Sequence, residues 1–105
     1  MTDSKYFCDL SALNDEERSR YREFEKLLPP LAKGISEQDN GYTLSFPMTP
    51  ENFVIIAEFV TYENRCCPFL SFSLSINSEE EDGSLAITSA PDAKSFIAAE
   101  LGLLD

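Results

Sequence analysis

The residues best able to carry chemistry in this chain are a glutamate and two adjacent cysteines, Glu63, Cys66 and Cys67. If this segment is helical, residues three and four positions apart are neighbours, and the carboxylate lies beside both thiols. Thiolate sulfur is a soft ligand that favours thiophilic ions such as Hg(II), Cu(I), As(III) or Zn(II). The spacing therefore predicts a soft-metal site or a thiol redox sensor, with Cys8 as a remote third sulfur that docks beside the end of the same helix.

A structural role for the cysteines is the main alternative. Free cysteine is among the residue types most often buried, and it packs as a small hydrophobe. Glu63 can turn its stem outward or pair with an arginine of the first helix. The adjacent cysteines also lack the Cys-x-x-Cys spacing of zinc knuckles and thioredoxin motifs. A strained vicinal disulfide between Cys66 and Cys67 would be a labile redox link, so packing, metal and redox roles all stay open.

The electrostatic surroundings predict poorly reactive free thiols. The C-terminal end of a helix carries partial negative charge and Glu63 adds more, so both raise the pKa of a nearby thiol above its usual value of about 8.5. A bound cation would instead deprotonate the sulfurs. The chain contains no histidine, which excludes Cys-His and Ser-His pairs, histidine zinc ligands and imidazole proton shuttles. We therefore expect metal capture or redox sensing in preference to a nucleophilic enzyme.

The helix that presents this patch is predicted to run from Pro50 to Cys67. Thr49 supplies an N-cap hydroxyl, and a proline suits the first helical position. Apolar side chains cover a wide face of this helix, and Glu63 projects from the middle of that face. A carboxylate is rarely placed there without a partner. We therefore expect Glu63 to lie in a partly buried patch and to meet a proton, an arginine or a cation.

The remaining pattern predicts two hairpins and two further helices. A first helix begins after Asn14, which forms a capping box with Glu17, and it stops at Pro29-Pro30. The predicted strands are Lys33–Gln38, Tyr42–Phe46, Leu70–Ile76 and a partner strand that carries Leu85 and Ile87, and a last helix begins at Pro91. The order helix-strand-strand-helix-strand-strand-helix predicts an α+β two-layer sandwich, in which a four-stranded antiparallel sheet carries its helices mainly on one face.

Length and charge restrict the domain organisation and the partners. The chain of 105 residues has the size of a single domain, which we assign to positions 1–105. Its 19 acidic and 8 basic residues give a formal net charge of -11, which disfavours nucleic acid and anionic membrane surfaces. No apolar run approaches the roughly 20 residues of a membrane span, and Met1–Tyr6 lacks an apolar signal core. We therefore expect a cytoplasmic protein.

The outer face of the predicted sheet is a second surface of interest. Small uncharged hydroxyl residues occupy it, at Thr43, Ser45, Ser71, Ser73, Ser75 and Thr88. A merely solvated face would carry more lysine and glutamate. The pattern predicts a homodimer or another protein partner that docks on this face, and the corresponding function is a non-catalytic interaction module with structural cysteines. Coverage by the first helix or by the N-terminal arm is the alternative.

The segment from Glu63 to Phe72 also resembles a known family. It has the sequence Glu-Asn-Arg-Cys-Cys-Pro-Phe-Leu-Ser-Phe, which is similar to the Glu-x-x-Cys-Cys-Pro-Phe-Leu-x-Phe core of a family of small, uncharacterised bacterial proteins. The likeness extends over most of the chain, including the surroundings of Cys8. The family has no established activity, and the resemblance implies only an association with heavy-metal-resistance genes. It also implies a longer first helix, from which Pro29-Pro30 departs.

Overall fold

The chain folds as helices packed on one antiparallel sheet, in a computed structural model that describes residues 9–100. Its elements are a short 3-10 helix at Leu10–Ala12, α1 at Asp15–Leu31, β1 at Gly34–Gln38, β2 at Gly41–Pro47, α2 at Pro50–Cys66, β3 at Ser71–Asn77, β4 at Asp82–Thr88, a 3-10 turn at Pro91–Ala93 and α3 at Lys94–Glu100. This order confirms the predicted α+β class and the four-stranded antiparallel sheet.

The two long helices begin at the caps that the sequence predicts. Asn14 Oδ1 accepts a hydrogen bond from the backbone N–H of Glu17 at 2.8 Å, and Glu17 Oε1 accepts one from the N–H of Asn14 at 2.9 Å. This is the reciprocal capping box of α1. At the start of α2, Thr49 Oγ1 accepts from the N–H of Asn52 at 3.1 Å. Local sequence therefore sets where both helices begin.

The predicted end of α1 at Pro29-Pro30 is wrong, because both prolines lie inside the last turn and the helix ends at Leu31. Each proline fixes φ near a helical value but lacks the N–H that would donate to the carbonyl four residues earlier, so the last turn of α1 has fewer backbone hydrogen bonds than the rest of the helix. The N–H of Ala32 closes the end by donating to the carbonyl of Pro29 at 3.3 Å. Within residues 9–100, no helix has the length and apolarity needed to cross a bilayer.

The sheet has the strand order β1-β2-β4-β3, so each hairpin contributes one strand to the centre and one to an edge. β2 and β4 join the hairpins, and this antiparallel pairing places Leu44 opposite Leu85. On the other side of β4, Leu85 lies opposite Leu74 of β3. Apolar residues from three strands therefore form continuous rows on the face that meets the helices.

The alternation along β3 has the predicted direction. Phe72 and Leu74 pack against the core, whereas Ser71, Ser73 and Ser75 are exposed. The predicted start of the strand at Leu70 is one residue early. Leu70 is buried but belongs to the turn after α2, where its N–H donates to the carbonyl of Cys67 at 3.0 Å.

The core lies between the sheet and the buried faces of the helices. Its largest fully buried side chains are Phe24, Phe46, Leu13, Ile97, Cys66 and Cys67. Glu63 is buried in the same helix face as Ile56 and Cys66. The two cysteines and the carboxylate of the predicted patch are therefore inside the protein, at the end of α2.

Candidate functional site

Glu63 lies on the buried face of α2, as the sequence predicts, and the residue is 4% exposed. Its Oε1 accepts a hydrogen bond from the phenolic hydroxyl of Tyr21 in α1. Its Oε2 lies 3.5 Å from Cys67 Sγ. The structure therefore brings Glu63 and Cys67 into contact, and α1 supplies a hydroxyl to the carboxylate.

The two adjacent cysteines differ in chemical state. Cys66 is a free thiol, whereas Cys67 is disulfide-bonded. The two residues therefore do not form a vicinal disulfide with each other. The sulfur bonded to Cys67 lies outside the described residues, and so does Cys8. Both Cys66 and Cys67 are 0% exposed, so neither sulfur meets solvent directly.

Backbone hydrogen bonds hold the chain around these cysteines. Cys67 caps the C-terminal end of α2, and its N–H donates to the carbonyl of Glu63 at 2.7 Å. The N–H of Asp9 donates to the carbonyl of Cys66 at 2.9 Å. Asp9 therefore lies at the end of α2, where the sequence predicts that Cys8, its neighbour in the chain, would dock.

The surroundings of Cys66 disfavour its thiolate. Burial raises the pKa of the Cys66 thiol above its usual value, and the negative charge of Glu63 raises it further. The positive charge of Arg65 opposes this rise in the pKa of Cys66, and its guanidinium donates to Glu17 Oε2 of α1 at 2.9 Å. This upward shift in the pKa of Cys66 agrees with the expectation that the thiol is a poor nucleophile at neutral pH.

Aromatic packing between α1 and α2 positions the hydroxyl of Tyr21. The ring of Tyr21 stacks on Phe59 with centroids 6.3 Å apart, and Phe59 meets Phe24 edge to face at 5.6 Å. Sequence periodicity places Tyr21 on the apolar face of α1 but does not identify it as the partner of Glu63. The phenolic hydroxyl of Tyr21 was the sequence feature that could have indicated such a contact, because a tyrosine on a buried face usually needs a hydrogen-bond partner.

An ion pair holds α1 against α2 beside this aromatic cluster. Arg20 Nη2 of α1 lies 3.1 Å from Glu58 Oε1 of α2. Within α2, Tyr62 OH also donates to Glu58 Oε2 at 3.0 Å. Arg20 holds the pKa of Glu58 below its usual value, and Arg65 does the same for Glu17. Sequence periodicity assigns Glu58 and Arg65 to the solvent side of α2, whereas the structure uses both as contacts to α1.

The predicted metal ligands are Glu63, Cys66, Cys67 and Cys8. Among residues 9–100, no three His, Cys, Asp or Glu side chains converge closely enough to hold a metal ion. The disulfide also occupies the sulfur of Cys67. A soft ion would therefore need this disulfide to be reduced first, because thiolates are the ligands that such ions prefer.

The outer face of the sheet carries mainly small uncharged side chains, and the register also places Asp82 at one end of it. Ser71, Ser73 and Ser75 are exposed, whereas Thr43, Ser45 and Thr88 are half-buried. The register aligns Thr43, Ala86 and Ser73 across three strands. α1 does not cover this face, because Tyr21 and Leu28 pack against the core on the opposite side. The alternative prediction that the first helix covers this face is therefore wrong. The N-terminal arm at positions 1–8, which was the other predicted cover, lies outside the described residues.

Comparisons with known proteins return nothing for this chain. No family model matches it, and neither a curated protein nor a solved structure does. The resemblance of the Glu63–Phe72 segment to a bacterial family therefore stays a prediction, and the function must be argued from the geometry of the site.

Proposed function

We propose that the patch around Glu63 and Cys67 is a reversible thiol-disulfide redox site. One observation carries this proposal: a buried carboxylate lies 3.5 Å from the sulfur of a disulfide-bonded cysteine. The chain has three cysteines, and Cys66 is free. We therefore propose Cys8 as the partner of Cys67, a pairing supported by the position of Asp9 at the end of α2.

The carboxylate gives the disulfide a local proton donor and acceptor. Reduction by an external dithiol adds two electrons and two protons, as the attacking thiolate forms a mixed disulfide and the second thiol then displaces it. Re-oxidation by a disulfide-containing oxidant reverses these steps, and Glu63 takes the proton from the Cys67 thiol as the new S–S bond forms. The hydrogen bond from Tyr21 holds the carboxylate in place.

The free thiol of Cys66 is consistent with a stable oxidised form. A neighbouring thiolate can attack a disulfide and exchange it. Burial raises the pKa of Cys66, which lowers the fraction of thiolate available for that attack. In the cytoplasm, where we propose that the protein acts, disulfides are rare and those present are usually catalytic or redox-sensing. The site therefore fits a sensor better than a structural cross-link.

A redox titration of the full chain tests this proposal. In buffers of reduced and oxidised dithiothreitol, we expect Cys67 to change between disulfide and thiol, as followed by alkylation and mass spectrometry. Glu63→Gln keeps the side-chain shape and removes the base, so we expect re-oxidation to slow by about a hundredfold. Glu51→Gln, an exposed acid in the first turn of the same helix, is the matched control.

Two results would contradict the redox proposal. One is a Cys67 that stays a free thiol in oxidising buffer. The other is re-oxidation at the parent rate in Glu63→Gln.

The reduced protein is then titrated with Hg(II) or Cu(I), since reduction frees soft sulfur ligands. A redox-gated metal site should bind the ion only in the reduced form. This binding should be lost in a Cys66→Ser, Cys67→Ser double variant.

A second candidate function is self-association through the outer face of the sheet. The observation that favours it is a face of mostly small uncharged residues on a chain with a net charge of -11, since a second copy would meet stronger repulsion on the rest of the surface.

Light scattering after size exclusion at micromolar concentration tests the dimer. We expect Ser73→Lys to shift the protein to monomer, because a two-fold axis would bring like charges together. Ser19→Lys is the control, since Ser19 is exposed on α1, which packs on the core side of the sheet. A monomeric parent protein, or a dimer that persists in Ser73→Lys, would count against this interface.

A further inference from the structure

The two edges of the sheet differ in the features that normally prevent a further strand from pairing. Proteins protect an open edge with a very short strand, a charged side chain, a proline or a bulge. β1 is five residues long and carries Glu37, which forms an ion pair with Lys94 of α3. The edge at β1 is therefore protected against a further strand.

β3, the other edge strand, lacks each of these protections. It is seven residues long, from Ser71 to Asn77, and it contains no charged residue and no proline. All seven residues pair one to one with β4, so no bulge interrupts the strand. Within residues 9–100, no strand pairs with the outer side of β3. Alternate residues of an antiparallel strand direct their N–H and C=O groups to each side, so this edge offers a row of backbone groups to a new strand.

An apolar side chain is uncovered at the same edge. Ile76 is 52% exposed, and the residue opposite it on β4 is Gly83, which has no side chain to cover it. Phe72 lies on the same face of β3 and is half-buried. The open edge therefore presents two large apolar side chains, one near each end of the strand.

A second copy of β3 complements this edge. Antiparallel pairing about a two-fold axis at Leu74 brings all residues of both strands into register. Ile76 of each copy then lies opposite Phe72 of the other, and Ser73 lies opposite Ser75. A β-branched residue opposite an aromatic ring and a hydroxyl opposite a hydroxyl are both favourable cross-strand pairs. This pairing also covers the exposed Ile76 of each copy.

Charge also favours a second copy at this edge. The chain has a net charge of -11, yet no residue of β3 is acidic. Among the described residues that line the groove between α2 and β3, Arg65 is charged and none is acidic. The side chain of Arg65 is 42% exposed. Antiparallel pairing brings the acidic loop at positions 79–81 of one copy to the start of β3 of the other, where Arg65 lines the groove. Opposite charges therefore approach each other where the two copies join.

We propose that β3 pairs antiparallel with β3 of a second copy, so that the two four-stranded sheets become one continuous sheet. A two-fold axis normal to the sheet keeps the helices of both copies on the same side. The outer faces of both sheets stay open in this arrangement. The proposal therefore depends neither on the disulfide of Cys67 nor on docking through the outer face.

Light scattering after size exclusion, over a range of micromolar concentrations, tests this interface in the full chain. We expect the parent protein to be a dimer. Ile76→Glu should weaken its association by at least about tenfold, because the change removes the contact with Phe72 and places a charge on the edge. Ile35→Glu is the matched control, since Ile35 is 41% exposed on β1 at the other edge of the sheet. It adds the same charge and should leave the association within about twofold.

Hydrogen exchange followed by mass spectrometry measures the backbone pairing without any substitution. In the dimer, the β3 amides that face the open edge gain hydrogen bonds. We expect them to exchange at least about tenfold more slowly in concentrated than in dilute protein. The amides of β1 should exchange at the same rate in both samples. Docking through the outer face adds no backbone hydrogen bonds to β3, so this measurement distinguishes the two interfaces.

Four outcomes would overturn the edge pairing. The first is a parent protein that stays monomeric, and the second is a dimer that persists in Ile76→Glu. The third is a dimer whose β3 amides exchange as fast as those of the monomer, which would place the interface elsewhere, as on the outer face. The fourth is slow exchange of these amides at every concentration, which would show that another part of the same chain pairs with the edge. Circular dichroism of Ile76→Glu and Ile35→Glu confirms that both variants are folded.

Discussion

The hydroxyl of Tyr21 donates a hydrogen bond to the buried carboxylate of Glu63 across the contact between α1 and α2. The two residues are 42 positions apart in the chain, and neither helix could satisfy this carboxylate alone. Glu63 also lies against Cys67. The packing of α1 on α2 therefore controls the orientation of the group that we propose as the proton carrier of the disulfide.

Removal of this hydroxyl should destabilise the protein. Tyr21→Phe keeps the ring on Phe59 but takes a hydrogen bond from a buried carboxylate, and we expect a loss of about 1–3 kcal/mol in the free energy of unfolding. Tyr42→Phe, at a half-buried tyrosine whose ring faces Lys94, should change it by less than about 0.5 kcal/mol. Urea denaturation at neutral pH measures both variants, and equal values for the two would contradict the prediction.

A side chain at Gly83 should be costly because Phe46 lies directly over this glycine. A β-carbon at Gly83 would lie 2.4 Å from Phe46 Cζ, and the ring of Phe46 is 1% exposed and cannot move without disturbing the core. We expect Gly83→Ala to cost about 1–3 kcal/mol.

The matched control for Gly83→Ala lies in an edge strand of the same sheet. At Gly34 the nearest contact of a β-carbon would be Ser45 Oγ at 3.5 Å, an ordinary van der Waals distance. We expect Gly34→Ala to be neutral or to stabilise by up to about 1 kcal/mol, because alanine restricts the unfolded chain. Thermal unfolding measures the stability of both variants. If Gly34→Ala destabilised the protein as much as Gly83→Ala does, the steric argument would be refuted.

The ion pair between Arg20 and Glu58 should stabilise the protein only at higher pH. Arg20 holds the pKa of Glu58 below its ordinary value of 4.5 in the folded protein. A carboxyl group with a lowered folded pKa stabilises the native state above its unfolded pKa, and this stability is lost as the pH falls through the folded pKa. We therefore expect Glu58→Gln to destabilise at pH 7 and to have a smaller effect at pH 3.

The comparison of Glu58→Gln with the parent protein is necessary because acidification also relieves repulsion among the other acids of this strongly negative chain. Urea denaturation of both proteins at several pH values isolates the contribution of Glu58. Exposed Glu51→Gln is the control and should show no such pH-dependent difference. A penalty for Glu58→Gln that is constant from pH 7 to pH 3 would contradict the role given to Arg20.

The Cys66 thiol should react slowly in the folded protein. It is 0% exposed, and burial raises its pKa above the ordinary value of a cysteine thiol. A group with a raised folded pKa contributes stability that is present below its unfolded pKa and is lost as the pH rises through the folded pKa. Stability should therefore decline in the alkaline range, and Cys66→Ser should reduce this decline.

Alkylation with iodoacetamide, followed by mass spectrometry, measures the reactivity of Cys66. We expect labelling at neutral pH to be at least about a hundredfold slower than in denaturant, since both burial and a low thiolate fraction oppose it. Labelling of the folded protein at the rate of an unfolded thiol would mean that Cys66 is exposed and would contradict the site geometry.

Short-range sequence signals accounted for most of the secondary structure. The caps at Asn14 and Thr49 act through neighbouring backbone groups, so they can be recognised without knowledge of the fold. The strict alternation of serine with apolar residues assigned the two faces of β3. The end of α1 was missed, because the local rule counts only the hydrogen bonds that Pro29 and Pro30 cannot make, whereas tertiary packing, as at Leu28, can override local helix preference.

The sequence by itself determined that Glu63 and Cys67 would be neighbours, because four residues of helix separate them and helical geometry is local. It also determined that α2 would bury the carboxylate, since the apolar residues around Glu63 define that face. Only the tertiary structure decided that Tyr21 would meet Glu63 and that Cys67 would be bonded while Cys66 stays free. Such contacts depend on how helices cross and how sheet and helix surfaces fit, and these are properties of side chains distant in the sequence.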